Sequence, residues 1–279
     1  MPHALRTFNN KHLTINRKVK FFLLICLLLS IVSGQLSVVL AQSAYEKTKE
    51  DYSIQLKKYN EARNDYLTKK ASFEAFQTAT AKKEVFESTK NYLVETNFLL
   101  ADKLNVLKEF GNTINWQNST FNKEAMFTLL DEETNYLQNN WSDIQKTTAL
   151  EQLPPIAEEL KIRLDTSLLP KADKVIGTYE IAKTESTHAN FKNLAQAVSN
   201  FVNPRSTDEN TAIVHNWQTE IDNVNAAVNA NISEAKTELD KIQLDRKSSR
   251  VNKVFQLTKS AKDELKRSLN LFEEILRII

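Results

Sequence analysis

Two histidines, His188 and His215, and the acidic run Asp131-Glu132-Glu133 are the residues of the main body best suited by type to metal or acid–base chemistry. Their spacing argues against it. Glu185 and His188 form a single Glu-x-x-His pair, whereas a di-metal helical site needs two such pairs and further inward carboxylates. The histidines lie 27 positions apart, and the one cysteine of the chain, Cys26, falls in a different region. An acidic triplet on a helix is expected to be a solvated turn rather than a cation site. Phosphate and oxyanion chemistry fare no better. There is no Gly-x-Ser-x-Gly elbow, His-Glu-x-x-His helix or phosphate-binding loop, and beyond the leader only Gly111 and Gly177 remain to form tight backbone nests. No catalytic, cofactor-binding or metal residue is assigned: the chain reads as no enzyme, with no cofactor.

Tyr45, Tyr52, Tyr59 and Tyr66 recur every seventh residue and are continued by Phe73. Such a stripe suits a glycan or polymer ligand, but a helix seam explains it without one, because each ring covers apolar surface while its hydroxyl reaches water. Asn118-Ser119-Thr120, Asn140-Trp141-Ser142 and Asn231-Ile232-Ser233 match the glycosylation acceptor pattern, which arises easily in an Asn-rich chain.

The elements that must position these residues are helices. Three glycines and five prolines among 279 residues leave little turn punctuation, and 41% hydrophobic residues supply ample packing surface. Fourteen Phe, seven Tyr and three Trp argue against disorder. A mean hydropathy of −0.43 implies many side chains facing water, as on slender bundles.

Residues 1–43 read as a signal peptide or signal anchor. Arg6, Lys11, Arg17, Lys18 and Lys20 precede an apolar run over residues 21–41, which spans roughly 31 Å as a helix, enough to cross a membrane if uncleaved. Cys26 sits inside the run as apolar filler. Residues 44–279 are then expected outside the cytoplasmic membrane, secreted or anchored. Removing the five leader bases leaves 32 basic against 35 acidic residues, so the pI near 8.4 belongs to the leader and gives no support to nucleic-acid binding.

Residues 44–110 are predicted to form one long coiled-coil-like helix, on the order of 100 Å at about 1.5 Å per residue. Its stripe slips by one position between Phe73 and Phe86 and resumes through Leu93, Leu100 and Leu107. Residues 111–203 form a helical middle region with breaks near 111–120, 154–155 and 170. Asn203-Pro204-Arg205 marks the next boundary, and Ser206 with Glu209 makes a capping box. Residues 204–279 close the chain with a long amphipathic region in which a bend or a second slip of the stripe is expected over residues 245–250, the stripe running through Trp217, Ile221, Val224 and Val228. Residues 45–110 need another long helix to cover their stripe, either from a partner or from within the chain, and this last region is the best internal candidate.

The predicted fold class is all-α: an elongated helical bundle or coiled-coil-like antiparallel helices, preceded by an N-terminal signal or transmembrane helix. The predicted function is that of a non-enzymatic, extracytoplasmic structural or protein-interaction protein of the cell envelope. Its expected partners are itself or another envelope protein through helical faces, with the membrane engaged through residues 21–41 if these are uncleaved, and no nucleic acid. The alternative is an exported helical bundle that binds a ligand.

Overall fold

A computed structural model describes residues 35–242 and 249–278. These fold into α1 (Gln35–Phe76), α2 (Ala79–Asn112), α3 (Lys123–Lys146), α4 (Leu153–Arg163), α5 (Leu169–Val202), α6 (Thr211–Asp240) and α7 (Ser249–Ile278). A π turn, Leu164–Leu168, joins α4 to α5 without leaving helical backbone, so six rods make up an elongated all-α bundle.

Among the described residues, no helix is long and apolar enough to cross a membrane. This corrects the expected signal or transmembrane helix. Residues 35–41, the end of the apolar run, are the opening turns of α1, which continues into the charged sequence around Glu46, Lys47, Lys49 and Glu50. Residues 21–34 lie outside the described residues. Anchorage and a membrane partner through residues 21–41 are withdrawn with that helix, and the extracytoplasmic assignment, which rested on the same run, gains no support.

The single helix expected over residues 44–110 is two. Gln77 takes a left-handed backbone with φ 50°, its N–H still bonded to the Phe73 carbonyl at 2.9 Å, and Thr78 caps α2 by accepting from the Ala81 N–H at 3.1 Å. The one-residue slip between Phe73 and Phe86 is therefore a reversal of direction. α2 returns antiparallel along α1, bringing Tyr45 against Phe110 and Tyr59 and Tyr66 against Tyr92. α2, rather than the C-terminal region, covers α1.

Prolines shape the next rod. Pro154 and Pro155 lie in the first turn of α4, where a missing N–H costs nothing, and α3 has already ended at Lys146. Pro170 has no N–H for the Thr166 carbonyl and its ring crowds that turn. The preceding segment widens to π geometry, with Leu169 N–H bonded to the Leu164 carbonyl, and the helix runs on. The expected break at 170 is thus a widened turn. The 3₁₀ turn Asn203–Arg205 follows α5, and α6 starts only at Thr211, where Asn210 Oδ1 accepts from Thr207 N–H at 2.7 Å in place of the expected Ser206 capping box.

Three apolar clusters lie along the bundle. Leu93, Val94, Ile144 and Leu153 join α2, α3 and α4 near the hairpin tip. Leu104, Met126, Leu130, Leu137, Val175 and Tyr179 fill the middle. The largest cluster runs through α5, α6 and α7, from Val202 and Val214 to Leu239 and Val254. α5 belongs to both of the last two, so it couples the halves. Neither glycine forms a nest. A Cβ on Gly111 would meet Tyr179 Oη at 2.5 Å, and one on Gly177 would meet Leu239 Cδ1 at 2.6 Å, so both mark close helix contacts.

Candidate functional site

The α1–α2 hairpin combines a thin seam with an uncovered outer side. Across residues 41–76, α1 buries only Gln55 and Ala62, while Tyr45, Tyr52, Tyr59 and Tyr66 are half-buried. Polar contacts hold much of the seam: Gln55 Nε2 donates to the Glu95 carboxylate and carbonyl, the Tyr59 and Tyr92 hydroxyls lie 3.2 Å apart, and Lys69 pairs with Glu84 at 3.1 Å. Ile54, Leu56 and Leu67 remain exposed, and Phe76 at the tip is 72% exposed. Phe98 and Trp141, 6.2 Å apart, add a half-open aromatic pair from α2 and α3.

Beside this surface, a groove of about 550 Å³ separates the tip of α1 from α4. Val85 and Thr89 form part of its lining on α2; Tyr66 and Phe73 form one wall, and Leu153, Pro154 and Ala157 the other. Lys70 and Glu74 on α1 face Glu158 and Lys161 on α4, each pair bridged within its own helix at 3.9 and 3.5 Å. The opposite side of the hairpin is polar, lined by Asp65, Lys83, Glu84, Glu87 and Asn91.

No family model, curated protein or solved structure matches this chain.

The residues considered for chemistry from sequence are placed otherwise. Glu133 is fully buried, which corrects the expectation of a solvated acidic turn. Its carboxylate accepts from Arg163 Nε and Nη2 at 2.9 and 2.8 Å, Ser167 Oγ at 2.8 Å and Lys171 Nζ at 2.7 Å. Asp131 pairs with Lys108 at 2.7 Å and Glu132 with Lys171 at 2.6 Å, so cationic side chains engage all three acids. Burial pushes the Glu133 carboxyl up, but the hydrogen bonds from Arg163, Lys171 and Ser167 outweigh it and hold the group below its ordinary range. Sequence reasoning missed this convergence. Its local trace is the four-residue spacing of 163, 167 and 171, which the widened turn brings toward one face.

Glu185 and His188 do not act together. Glu185 accepts from Ser119 Oγ, Thr120 N–H and Thr120 Oγ1 and pairs with Lys236 at 2.6 Å, tying the α2–α3 loop to α5 and α6. His188 is buried and bonded through Nε2 to Asn225 Oδ1 at 2.9 Å; burial is the main cause that lowers its pKa. His215 is exposed on α6. Of the three acceptor-pattern asparagines, Asn118 is exposed in a loop, Asn231 is half-buried on α6, and Asn140 is buried, accepting from Asn97 Nδ2 at 3.0 Å. Among the described residues, no group of three or more His, Cys, Asp or Glu side chains is arranged to hold a metal ion.

Proposed function

We propose that this is a non-enzymatic structural or interaction protein that works by helix-to-helix contact through the uncovered side of its N-terminal hairpin, with a second copy of itself or another helical protein. The observation that carries the reading is the uneven covering of α1. It packs principally on one helix, α2, and leaves Ile54, Leu56, Leu67 and Phe76 in water. Single exposed apolar residues are ordinary, but Leu56 and Leu67 share one flank of this long, thinly covered helix and Ile54 and Phe76 the other, so apolar side chains border the seam on both sides, next to an apolar-walled groove, where partner helices would cover them. Of the residues whose types suggested chemistry in the sequence, Glu133, Glu185 and His188 are engaged in cross-helix bonds, which is consistent with structural roles for them.

Absolute mass measured across a range of concentrations tests the self-association form of this reading. The expected result is a concentration-dependent rise in mass that is lost in the triple variant Leu56→Glu, Leu67→Glu, Phe76→Glu. A wild-type chain that stays monomeric, and is indistinguishable from the triple variant in binding to any helical partner tried, would remove the hairpin from the function.

A second reading, a ligand-binding helical bundle, is favoured by one feature. The groove between α1 and α4 has the size of a small-molecule site and walls that are largely apolar. Ala157→Phe narrows it from the α4 side. Loss of binding of an apolar fluorescent probe, with association mass unchanged, would favour this second reading.

A further inference from the structure

Three of the seven tyrosines of the chain meet on the seam between α1 and α2. Tyr92 stacks on Tyr66 with ring centroids 5.3 Å apart and planes 7° from parallel. On its other side, it lies 5.5 Å from Tyr59, with the two hydroxyls 3.2 Å apart. All three are half-buried, so their rings are in contact and still reachable from solvent. The remaining four tyrosines are placed differently. Tyr45 meets Phe110, Tyr52 is half-buried on α1, Tyr136 lies under Arg163, and Tyr179 is buried against Phe110 and Trp116. Among the described residues, no other pair of tyrosines is in ring contact.

We propose that Tyr92 and its neighbours Tyr59 and Tyr66 form an oxidative modification site, at which a peroxidase-type oxidant joins Tyr92 to one of the two as an intrachain dityrosine stapling α1 to α2. Each phenol loses one hydrogen atom, giving two phenoxyl radicals. These join through ring carbons ortho to oxygen, one C–C bond forms, and the two ortho hydrogens return to the oxygens by tautomerisation. Hydrogen peroxide takes up the two hydrogen atoms and is reduced to two molecules of water, which balances the step. Radical pairing is normally limited by encounter, and here the fold has already made the encounter. Burial and the Tyr59 contact push the Tyr92 hydroxyl up to about 12, so it enters as a neutral phenol. The product ties covalently a seam in which α1 buries only Gln55 and Ala62 over residues 41–76, in a chain whose only cysteine is Cys26. This site is independent of whether the hairpin also binds a partner.

The test treats the purified full chain with a haem peroxidase and hydrogen peroxide, with free tyrosine in a parallel reaction to prove that the oxidant is active. Expected are dityrosine fluorescence, an unchanged monomer band, a mass lower by two hydrogens, and a cross-linked peptide pair joining Tyr92 to Tyr59 or Tyr66. Tyr92→Phe keeps the ring and should reduce intrachain product to background, while Tyr136→Phe should leave it unchanged. Amide exchange in α1 should slow after the reaction. Product that maps to Tyr45, Tyr52 or Tyr136, product chiefly between copies, or none at all beside a positive free-tyrosine control overturns the proposal. The peptide map is read on the wild-type chain and does not depend on any variant folding.

Discussion

Helices α1 and α6 are both long, both antiparallel to the neighbour that follows or precedes them, and both carry large side chains at helical spacing, yet they are covered very differently. α6 sits between α5 and α7 and buries Val214, Trp217, Ile221, Val224, Val228, Ile232, Ala235 and Leu239. α1 is longer, 42 residues against 30, has principally α2 beside it, and over residues 41–76 buries Gln55 and Ala62. The choice of side chain matches the number of neighbours. Branched aliphatics suit a seam closed from two sides, where full burial of each contributes about 1.5–3 kcal/mol. Tyrosine suits a seam closed from one side, because its ring packs while its hydroxyl stays near water. Between these two helices, burial is therefore concentrated in α6 and partly covered surface in α1.

The largest expected effect breaks the well-covered half. Leu239 is 1% exposed and packs so closely on Gly177 of α5 that a Cβ there would meet its Cδ1 at 2.6 Å. Leu239→Ala should cost about 3–4 kcal/mol in chemical denaturation, whereas a truncation of similar size at Leu67 should cost well under about 1 kcal/mol because that side chain is 45% exposed. Equal losses at the two positions would abolish the contrast.

Next is the ion cluster at the widened turn. Glu133→Ala leaves Arg163 and Lys171 facing each other without their shared acceptor and should cost about 3 kcal/mol. The lowered pKa of Glu133 has a defined sign: its contribution is complete above the ordinary value of 4.5 and is lost as pH falls through the depressed folded value. Denaturation midpoints taken downward from about pH 5 should fall less steeply for Glu133→Gln than for the wild type. Identical slopes would show that the pairing adds nothing to stability.

How far such features are legible depends on whether their cause is local. The stripe through Trp217, Ile221, Val224 and Val228 is visible in the sequence because burial from two sides requires apolar residues on every turn. The reversal at Gln77 was visible only as a slip in phase: the left-handed position carries neither Gly nor Asn, and without that punctuation two helices read as one. Glu133 reads as solvated because its burial comes from residues 30 and more positions away, which no local pattern reports. The groove was not legible at all. Leu153, Pro154 and Ala157 line it only because α4 packs beside the end of α1, which supplies the opposite wall, a contact between residues some 80 positions apart.

A smaller effect sharpens the contrast inside the hairpin. Tyr92→Phe keeps the stack on Tyr66 and removes one half-buried hydroxyl contact with Tyr59, worth about 0.5–1 kcal/mol. Exchange protection of α1 should drop while that of α6 stays unchanged; loss spread evenly over both helices would mean that the halves unfold as one unit.

The smallest effect on stability is expected where the surface matters most. Leu56 and Leu67, 38% and 45% exposed, lie three turns apart on one flank of α1. Replacing both with Glu removes little burial within the monomer and introduces charges that remain hydrated, so the denaturation midpoint should move by no more than about 0.5 kcal/mol. If α1 is a contact surface, the same double variant should still reduce association sharply, because a carboxylate forced into a helix–helix contact must be desolvated without a partner. The pair of measurements separates folding from binding. A large loss of stability would mean that this flank is already covered inside the chain, whereas unchanged stability with unchanged association would leave the exposed leucines as ordinary surface.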